Sequence, residues 1–215
     1  MNHPAYDPPE LLINDPHRGD RTIVLAHGAG AAMDTEFMDT FADGLANHGL
    51  RVVRFEFPYM ATRRITGKRR PPDREPILRD TWHRVVDSIG ADRVIIGGKS
   101  MGGRIASLIA DEAQVAGLVC LGYPFHPTGK PDKLRVEHLN SIKTPTLIVQ
   151  GEPCAVRQSG NETRVRCRRR VRCPIRRFVI HPSGSENRPV SPIADLAERI
   201  RKLQIHQSCL PIRSR

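Results

Sequence analysis

The sequence lacks any run of about 18 consecutive apolar residues, the length that a membrane-spanning helix requires, so we expect no membrane partner. Its first 20 residues contain no apolar stretch behind a basic start. We therefore expect no secretory signal and a cytoplasmic location. The four cysteines after Gly151 include no Cys-x-x-Cys pair, and we expect no metal site.

Nearly all of the net charge of +11 lies in the C-terminal part of the chain. Residues 1–150 hold 19 basic and 18 acidic side chains, whereas residues 151–215 hold 15 basic and 5 acidic ones. We therefore divide the chain at a seam near Gly151, into an N-terminal extension (1–19), a core (20–151) and an atypical Arg/Cys-rich tail (152–215).

Two interpretations of the tail remain open. A shift of the reading frame after Gly151 is the simpler one, because GC-rich DNA read out of frame encodes mainly Arg, Pro, Ser and Cys. An arginine-rich arm that contacts phosphates is the alternative. Phe178 is the only aromatic residue of the tail, which gives bases no surface for stacking, so we expect no nucleic-acid partner.

Short apolar runs rich in β-branched residues alternate with helix-length segments through the core. Such runs, separated by long crossovers, form parallel strands joined by helices. We therefore predict an α/β fold with a doubly wound, mostly parallel sheet. Strands are predicted at 22–26, 51–57, 93–98, 118–121 and 146–150, helices at 34–49, 76–90, 100–110 and 193–203, and a basic loop at 60–74.

The segment Gly98-Lys99-Ser100-Met101-Gly102 lies between a predicted strand and a predicted helix. In this context Gly-x-Ser-x-Gly is typical of a nucleophile elbow, a tight turn that projects the serine and leaves no room for bulk two residues away. We predict Ser100 as a nucleophile, with a helix-capping serine as the alternative. A phosphate-binding loop would need glycine at position 93, which is Arg93.

A second small-residue segment, His27-Gly28-Ala29-Gly30-Ala31, follows the first predicted strand. Acyl transfer needs two N–H groups aimed at the developing oxyanion. We predict that Met101 supplies one and Ala29 or Gly30 the other. We interpret His27 as a structural residue. A dinucleotide fingerprint would need glycine at position 33, which is Met33.

Six segments of the core together resemble a known family. It is the small α/β-hydrolase family of dienelactone-hydrolase-like bacterial proteins, which includes a testis-expressed vertebrate protein and a hydrolase-like subunit of the non-specific-lethal histone-acetyltransferase complex. The resemblance implies a serine-hydrolase fold with Ser100 as nucleophile, no cofactor and a small ester-like substrate that it does not define. The segments are VLAHGAGAAMD (24–34), RFEFPYM (54–60), GKRRPPDR (67–74), GGKSMGGRIAS (97–107), LGYPFHPTGKPDKLRVEHL (121–139) and PTLIVQG (145–151).

The resemblance ends where the family supplies its catalytic acid and base. Cys154 stands where the family has an aspartate, and Glu152 is the nearest substitute. The only histidine at about the right distance for the base is His181. We therefore predict a hydrolase that works through a Ser100 acyl-enzyme and is impaired in this copy. The alternative is an inactive scaffold or interaction protein on the same fold; the oligomeric state stays open.

Overall fold

Six strands form one sheet in the computed structural model, which describes residues 9–15, 21–130, 132–150 and 196–200. The strands are β1 (Leu11–Asn14), β2 (Thr22–Ala26), β3 (Arg51–Phe55), β4 (Val94–Lys99), β5 (Gly117–Leu121) and β6 (Thr146–Val149). Their order across the sheet is β1-β3-β2-β4-β5-β6. Only the pairing of β1 with β3 is antiparallel within the described residues. The predicted fold class is therefore confirmed.

Four α-helices connect the strands of the described core. They are α1 (Glu36–Asn47), α2 (Pro58–Thr66), α3 (Glu75–Ile89) and α4 (Met101–Ile109). Proline occupies the first turn of both α2 and α3, where its missing N–H costs no helical hydrogen bond. Two short 3-10 turns, Ala91–Arg93 and Glu137–Asn140, precede β4 and β6.

The position of β2 determines where the polar loops meet. The chain passes from β2 to β3 on one side and then crosses to β4 on the other, and both neighbours are parallel to β2. Ala26 pairs with Phe55 in β3 and with Gly98 in β4. The loops that follow these three strands therefore leave the same edge side by side, at the kind of crevice where open α/β sheets bind ligands.

Both faces of the sheet are covered by apolar side chains. Neighbours in β4 alternate between the faces: Ile96 packs with α3 and α4, and Ile95 packs with α1. Residues 196–200 are helical, and Leu196, Ala197 and Ile200 are buried on the α1 face. The helix predicted at 193–203 is thus confirmed for its described part.

Two elements differ from the prediction. Strand β1 lies in the segment that we treated as an N-terminal extension, where no strand was predicted. Helix α2 occupies the first part of the predicted basic loop, because Pro58 begins a helix where we expected only the end of a strand. No helix of the described residues combines the length and the apolarity that crossing a membrane would need.

Candidate active site

Ser100 is the sharp turn between β4 and α4. Its backbone has φ 49° and ψ −107°, a conformation that a non-glycine residue rarely adopts. The turn is held by neighbours on both sides: the Ser100 N–H donates to the carbonyl oxygen of Leu121 (2.9 Å), and the Ser100 carbonyl accepts from the Arg104 N–H (3.0 Å). The residue is half-buried. This is the backbone geometry expected of a nucleophile elbow.

The two glycines of the motif allow the elbow to lie against β2. A Cβ on Gly98, which has φ 149°, would overlap the Ala26 carbonyl oxygen. A Cβ on Gly102 would lie 2.5 Å from that same oxygen and 2.7 Å from the His27 carbonyl oxygen. Only glycine fits at either position without moving the strand. The spacing of the motif therefore follows from the close approach of α4 to the end of β2.

His27 is fully buried where β2 ends. Its Nε2 accepts a hydrogen bond from the Phe57 N–H (3.1 Å), so the ring proton is on Nδ1, which donates to the Gly28 carbonyl oxygen (2.7 Å). Burial lowers the pKa of His27. A neutral ring with both nitrogens occupied is a structural histidine, as we interpreted it, and it is not free to act as a base.

The loop after His27 lies beside the elbow. A Cβ on Gly28 would come within 3.6 Å of the Lys99 carbonyl oxygen. Within the described part of the chain, the N–H groups of Ala29, Gly30 and Met101 donate no hydrogen bond. These three donors are therefore available to a ligand, and their role in an oxyanion hole stays a prediction.

A cleft of about 380 Å³ opens next to this loop. One wall is the loop itself, at Gly30 and Ala31, and the opposite wall is α2, at Arg63 and Arg64. The Arg63 guanidinium donates to the Gly30 carbonyl oxygen (3.3 Å). The wall formed by α2 is thus tied to the wall formed by the loop.

Arg64 joins two carboxylates at the edge of this cleft. Its guanidinium donates to both oxygens of Asp34 (2.9 Å each) and to both oxygens of the buried Glu56 (2.6 and 3.1 Å). These bonds lower the pKa of Asp34 and raise that of Arg64. Bidentate pairs of this kind are the strong ones, so α2, the residue that follows β3 and the loop before α1 are held together.

Both backbone polar groups of Met33, its N–H and its carbonyl, form hydrogen bonds with side chains. Its N–H donates to the Glu56 carboxylate (3.3 Å), and its carbonyl accepts from the buried Arg54 guanidinium (2.8 Å). Arg54 also contacts Asp39 (2.6 Å) and Asn14 of β1 (3.0 Å). The loop that carries Ala29 and Gly30 is therefore anchored downstream by ionic hydrogen bonds as well as upstream by His27.

The predicted base and acid are not part of the described structure. His181, Glu152 and Cys154 all lie outside the described residues. The five histidines that are described each contact another group: His27 as above, His48 the Gly44 carbonyl, His83 the Glu112 carboxylate, His126 the Pro127 carbonyl and His138 the Ser107 hydroxyl. No group of three or more possible metal ligands occurs among the described residues.

Two contacts at the site were missed from the sequence. The Tyr59 hydroxyl donates to the Ala29 carbonyl oxygen (2.9 Å), and the Lys99 ammonium lies 4.1 Å from the centre of the Phe37 ring. Lys99 stands inside the predicted motif and Tyr59 directly after Pro58, next to a strand end. The only signal in the sequence was that both residues lie near the end of a strand. This signal does not identify the residue that each of them contacts.

Solved structures similar to this one are α/β hydrolases. A dienelactone hydrolase from Anabaena variabilis has a TM-score of 0.58 and 19% identity, over 91% of this chain and 90% of that chain. An α/β serine hydrolase homologue from Coxiella burnetii has a TM-score of 0.53 and 20% identity, over 92% and 90%. XC6422 from Xanthomonas campestris, an α/β serine hydrolase without a lid, has 0.55 and 17%, over 95% and 90%. At these identities the likeness concerns the fold.

A comparison of the amino-acid sequence with a protein-family model shows the family of this chain. The resemblance to α/β hydrolases is confirmed, whereas the finer link to the testis-expressed and non-specific-lethal-complex proteins stays a prediction. The model of a family described as "Alpha/beta hydrolase domain" matches residues 19–172, which is more than half of the chain. The chain therefore belongs to this alpha/beta hydrolase domain family.

Proposed function

We propose that this protein is a serine hydrolase that cleaves an ester-like bond of a small molecule through an acyl-enzyme on Ser100. The observation that carries the proposal is the backbone of Ser100, held at φ 49° and ψ −107° between β4 and α4. Strain of this kind persists only where surrounding structure enforces it, and it clusters at functional sites. Here the strained residue follows β4, at the same edge of the sheet as the loops after β2 and β3.

The chemistry uses the groups of this edge in a fixed order. A base takes the proton of the Ser100 hydroxyl as its oxygen attacks the substrate carbonyl carbon. The carbonyl oxygen becomes an oxyanion, which the N–H groups of Met101 and of Ala29 or Gly30 stabilise. The alcohol leaves with the proton from the base, and water then releases the acid by the same route. No cofactor takes part in this scheme.

The base and acid that we propose are the residues named from the sequence. His181 is the candidate base and Glu152 the candidate substitute for the acid, on sequence position alone. Because Cys154 stands where the family has its aspartate, we propose that this copy is impaired. Loss of triad members leaves roughly 10³–10⁴-fold catalysis over water, far below a complete enzyme.

The test is hydrolysis of a short-chain nitrophenyl ester by three chains: this protein, its Ser100→Ala variant, and a chain whose reading frame is restored after Gly151. We expect slow turnover by this protein, none above background by Ser100→Ala, and much faster turnover by the restored chain. Rapid turnover by this protein that Ser100→Ala abolishes would disprove the impairment. If none of the three chains hydrolyses the ester, the proposed chemistry of Ser100 is wrong.

The second candidate function is an inactive scaffold on the same fold. The observation that favours it is that all five described histidines contact groups other than Ser100. A single experiment separates the two candidates, because a scaffold has no need of a reactive Ser100. If the restored chain is inert as well, the scaffold becomes the better proposal.

A further inference from the structure

Tyr59 connects α2 to the loop of the predicted oxyanion hole. It is the second residue of α2, its side chain is buried, and its hydroxyl lies 2.9 Å from the Ala29 carbonyl oxygen and 3.4 Å from the Gly28 carbonyl oxygen. One hydroxyl proton is thus shared between two consecutive carbonyl groups. No other described side chain contacts the Ala29 carbonyl through a hydrogen bond.

The direction of these carbonyls determines the direction of the N–H groups that follow. In a trans peptide the C=O and the N–H point opposite ways, and the described backbone has no cis peptide. The Gly28 carbonyl belongs to the same peptide unit as the Ala29 N–H, and the Ala29 carbonyl to the same unit as the Gly30 N–H. Because both carbonyls face Tyr59, both N–H groups point away from it.

We infer that Tyr59 is a positioning residue for the oxyanion hole, through its hydrogen bond to the Ala29 carbonyl. This inference rests on the proposed function. The bond fixes the plane of the peptide between Ala29 and Gly30. It also polarises that peptide, since a carbonyl that accepts a hydrogen bond makes its own N–H a stronger donor. Tyr59 thus acts on the substrate oxygen through the Gly30 N–H without touching it.

Two further contacts hold Tyr59 in place. Its own N–H donates to the Asp73 carboxylate (2.9 Å), which fixes the start of α2. Its ring meets the His27 ring edge-on, with centroids 5.8 Å apart. Burial raises the pKa of its hydroxyl, so the group remains a donor throughout the ordinary pH range. A hydroxyl held this firmly is suited to orienting a peptide.

The experiment measures an oxyanion mimic that does not depend on turnover. Phenylboronic acid accepts the Ser100 oxygen at boron, the hydroxyl proton goes to solvent, and the tetrahedral boronate places a negative B–OH oxygen where an oxyanion would form. Tyr59→Phe removes only the hydroxyl in question. Tyr123→Phe is the matched control, because its equally buried hydroxyl also donates to a carbonyl at 2.9 Å, that of Arg135, away from the loop.

We expect Tyr59→Phe to weaken boronate binding about tenfold, less than the loss of an entire oxyanion donor, and Tyr123→Phe to change it less than twofold. The Gly30 amide proton should shift downfield when the boronate binds to the wild type, and less in Tyr59→Phe. Unchanged affinity and an unchanged Gly30 shift in Tyr59→Phe would overturn the role of Tyr59 alone. Absence of any Ser100 adduct in the wild type would overturn the proposed function, and this inference with it.

Discussion

Gly98 and Ala26 lie opposite each other in neighbouring strands, so close that a methyl group on Gly98 would overlap the Ala26 carbonyl oxygen. We expect Gly98→Ala to lower the free energy of unfolding by roughly 3 kcal/mol, from overpacking together with strain at its positive φ. Chemical denaturation measures this. Gly30→Ala is the control, because nothing lies within 4 Å of the Cβ that it adds, and it should stay within about 0.5 kcal/mol. Equal effects of the two substitutions would contradict the packing of the elbow.

If a base activates Ser100, a fluorophosphonate probe should label Ser100 and no other serine. Ser100 is half-buried rather than fully buried. The probe phosphonylates activated serine hydroxyls, and fluoride leaves. Peptide mapping by mass spectrometry identifies the site. Ser107→Ala is the control on the same helix, since the buried Ser107 hydroxyl donates to the Arg104 carbonyl (2.7 Å) and contacts His138. Labelling that survives in Ser100→Ala and disappears in Ser107→Ala would show that the nucleophile is misassigned.

His27 should remain neutral below its ordinary pKa of 6.5, because burial lowers that pKa. A long-range ¹H–¹⁵N spectrum should show the Nδ1–H tautomer at pH 6.5, with its titration displaced to lower pH. Between the folded and the unfolded pKa the unfolded chain binds the extra proton. Stability is therefore complete above about pH 6.5 and falls as the pH is lowered through that window. Titration of His27 above pH 6.5 would refute its assigned contacts.

Ile200 should contribute to the stability of the sheet although it lies beyond the seam at Gly151. It is fully buried on the face that carries α1. We expect Ile200→Ala to cost about 2–4 kcal/mol of the free energy of unfolding. Ile200→Val, which removes a single methyl group at the same position, should cost only about 0.5–1.5 kcal/mol. If the two variants unfold at the same denaturant concentration, the helical segment 196–200 does not pack as described.

The central strands could be predicted because their signals are local. The strand predicted at 93–98 is observed as Val94–Lys99, and the helix predicted to start at Ser100 starts at Met101. An apolar run bounded by glycine is sufficient to predict such a strand, because a parallel strand that is buried on both faces consists mainly of apolar residues. The end residues differ by one, which is the usual uncertainty of helix and strand boundaries.

Strand β1 and helix α2 depend on contacts that are distant in sequence. The four residues of β1 pair with β3, and Asn14 contacts Arg54, 40 positions away. Helix α2 begins with the Tyr59 N–H bound to Asp73 and is tied through Arg64 to Asp34. Pro58 at its start was a usable signal, but we interpreted it only as the end of a strand.

The candidate site likewise combines features that local sequence predicts with a contact that it does not. The turn at Ser100 and the loop from His27 to Ala31 could be located from the sequence because their residue types are constrained within five consecutive positions, and their catalytic roles stay predictions. The contact of Tyr59 with the Ala29 carbonyl joins residues 30 positions apart, and neither residue type specifies the other. Which peptide a tyrosine hydroxyl will meet depends on how α2 crosses the end of β2, which only the folded chain defines.

The positive φ of Ser100 sets stability and reactivity against each other at one position. Holding a serine at φ 49° costs roughly 1–3 kcal/mol, whereas glycine adopts such angles without steric penalty. A glycine at position 100 would therefore give a more durable protein with no nucleophile. Selection for stability alone would therefore favour that glycine, and a screen for thermal stability alone would enrich it. At position 100, the residue that favours stability and the residue that allows nucleophilic attack are therefore different.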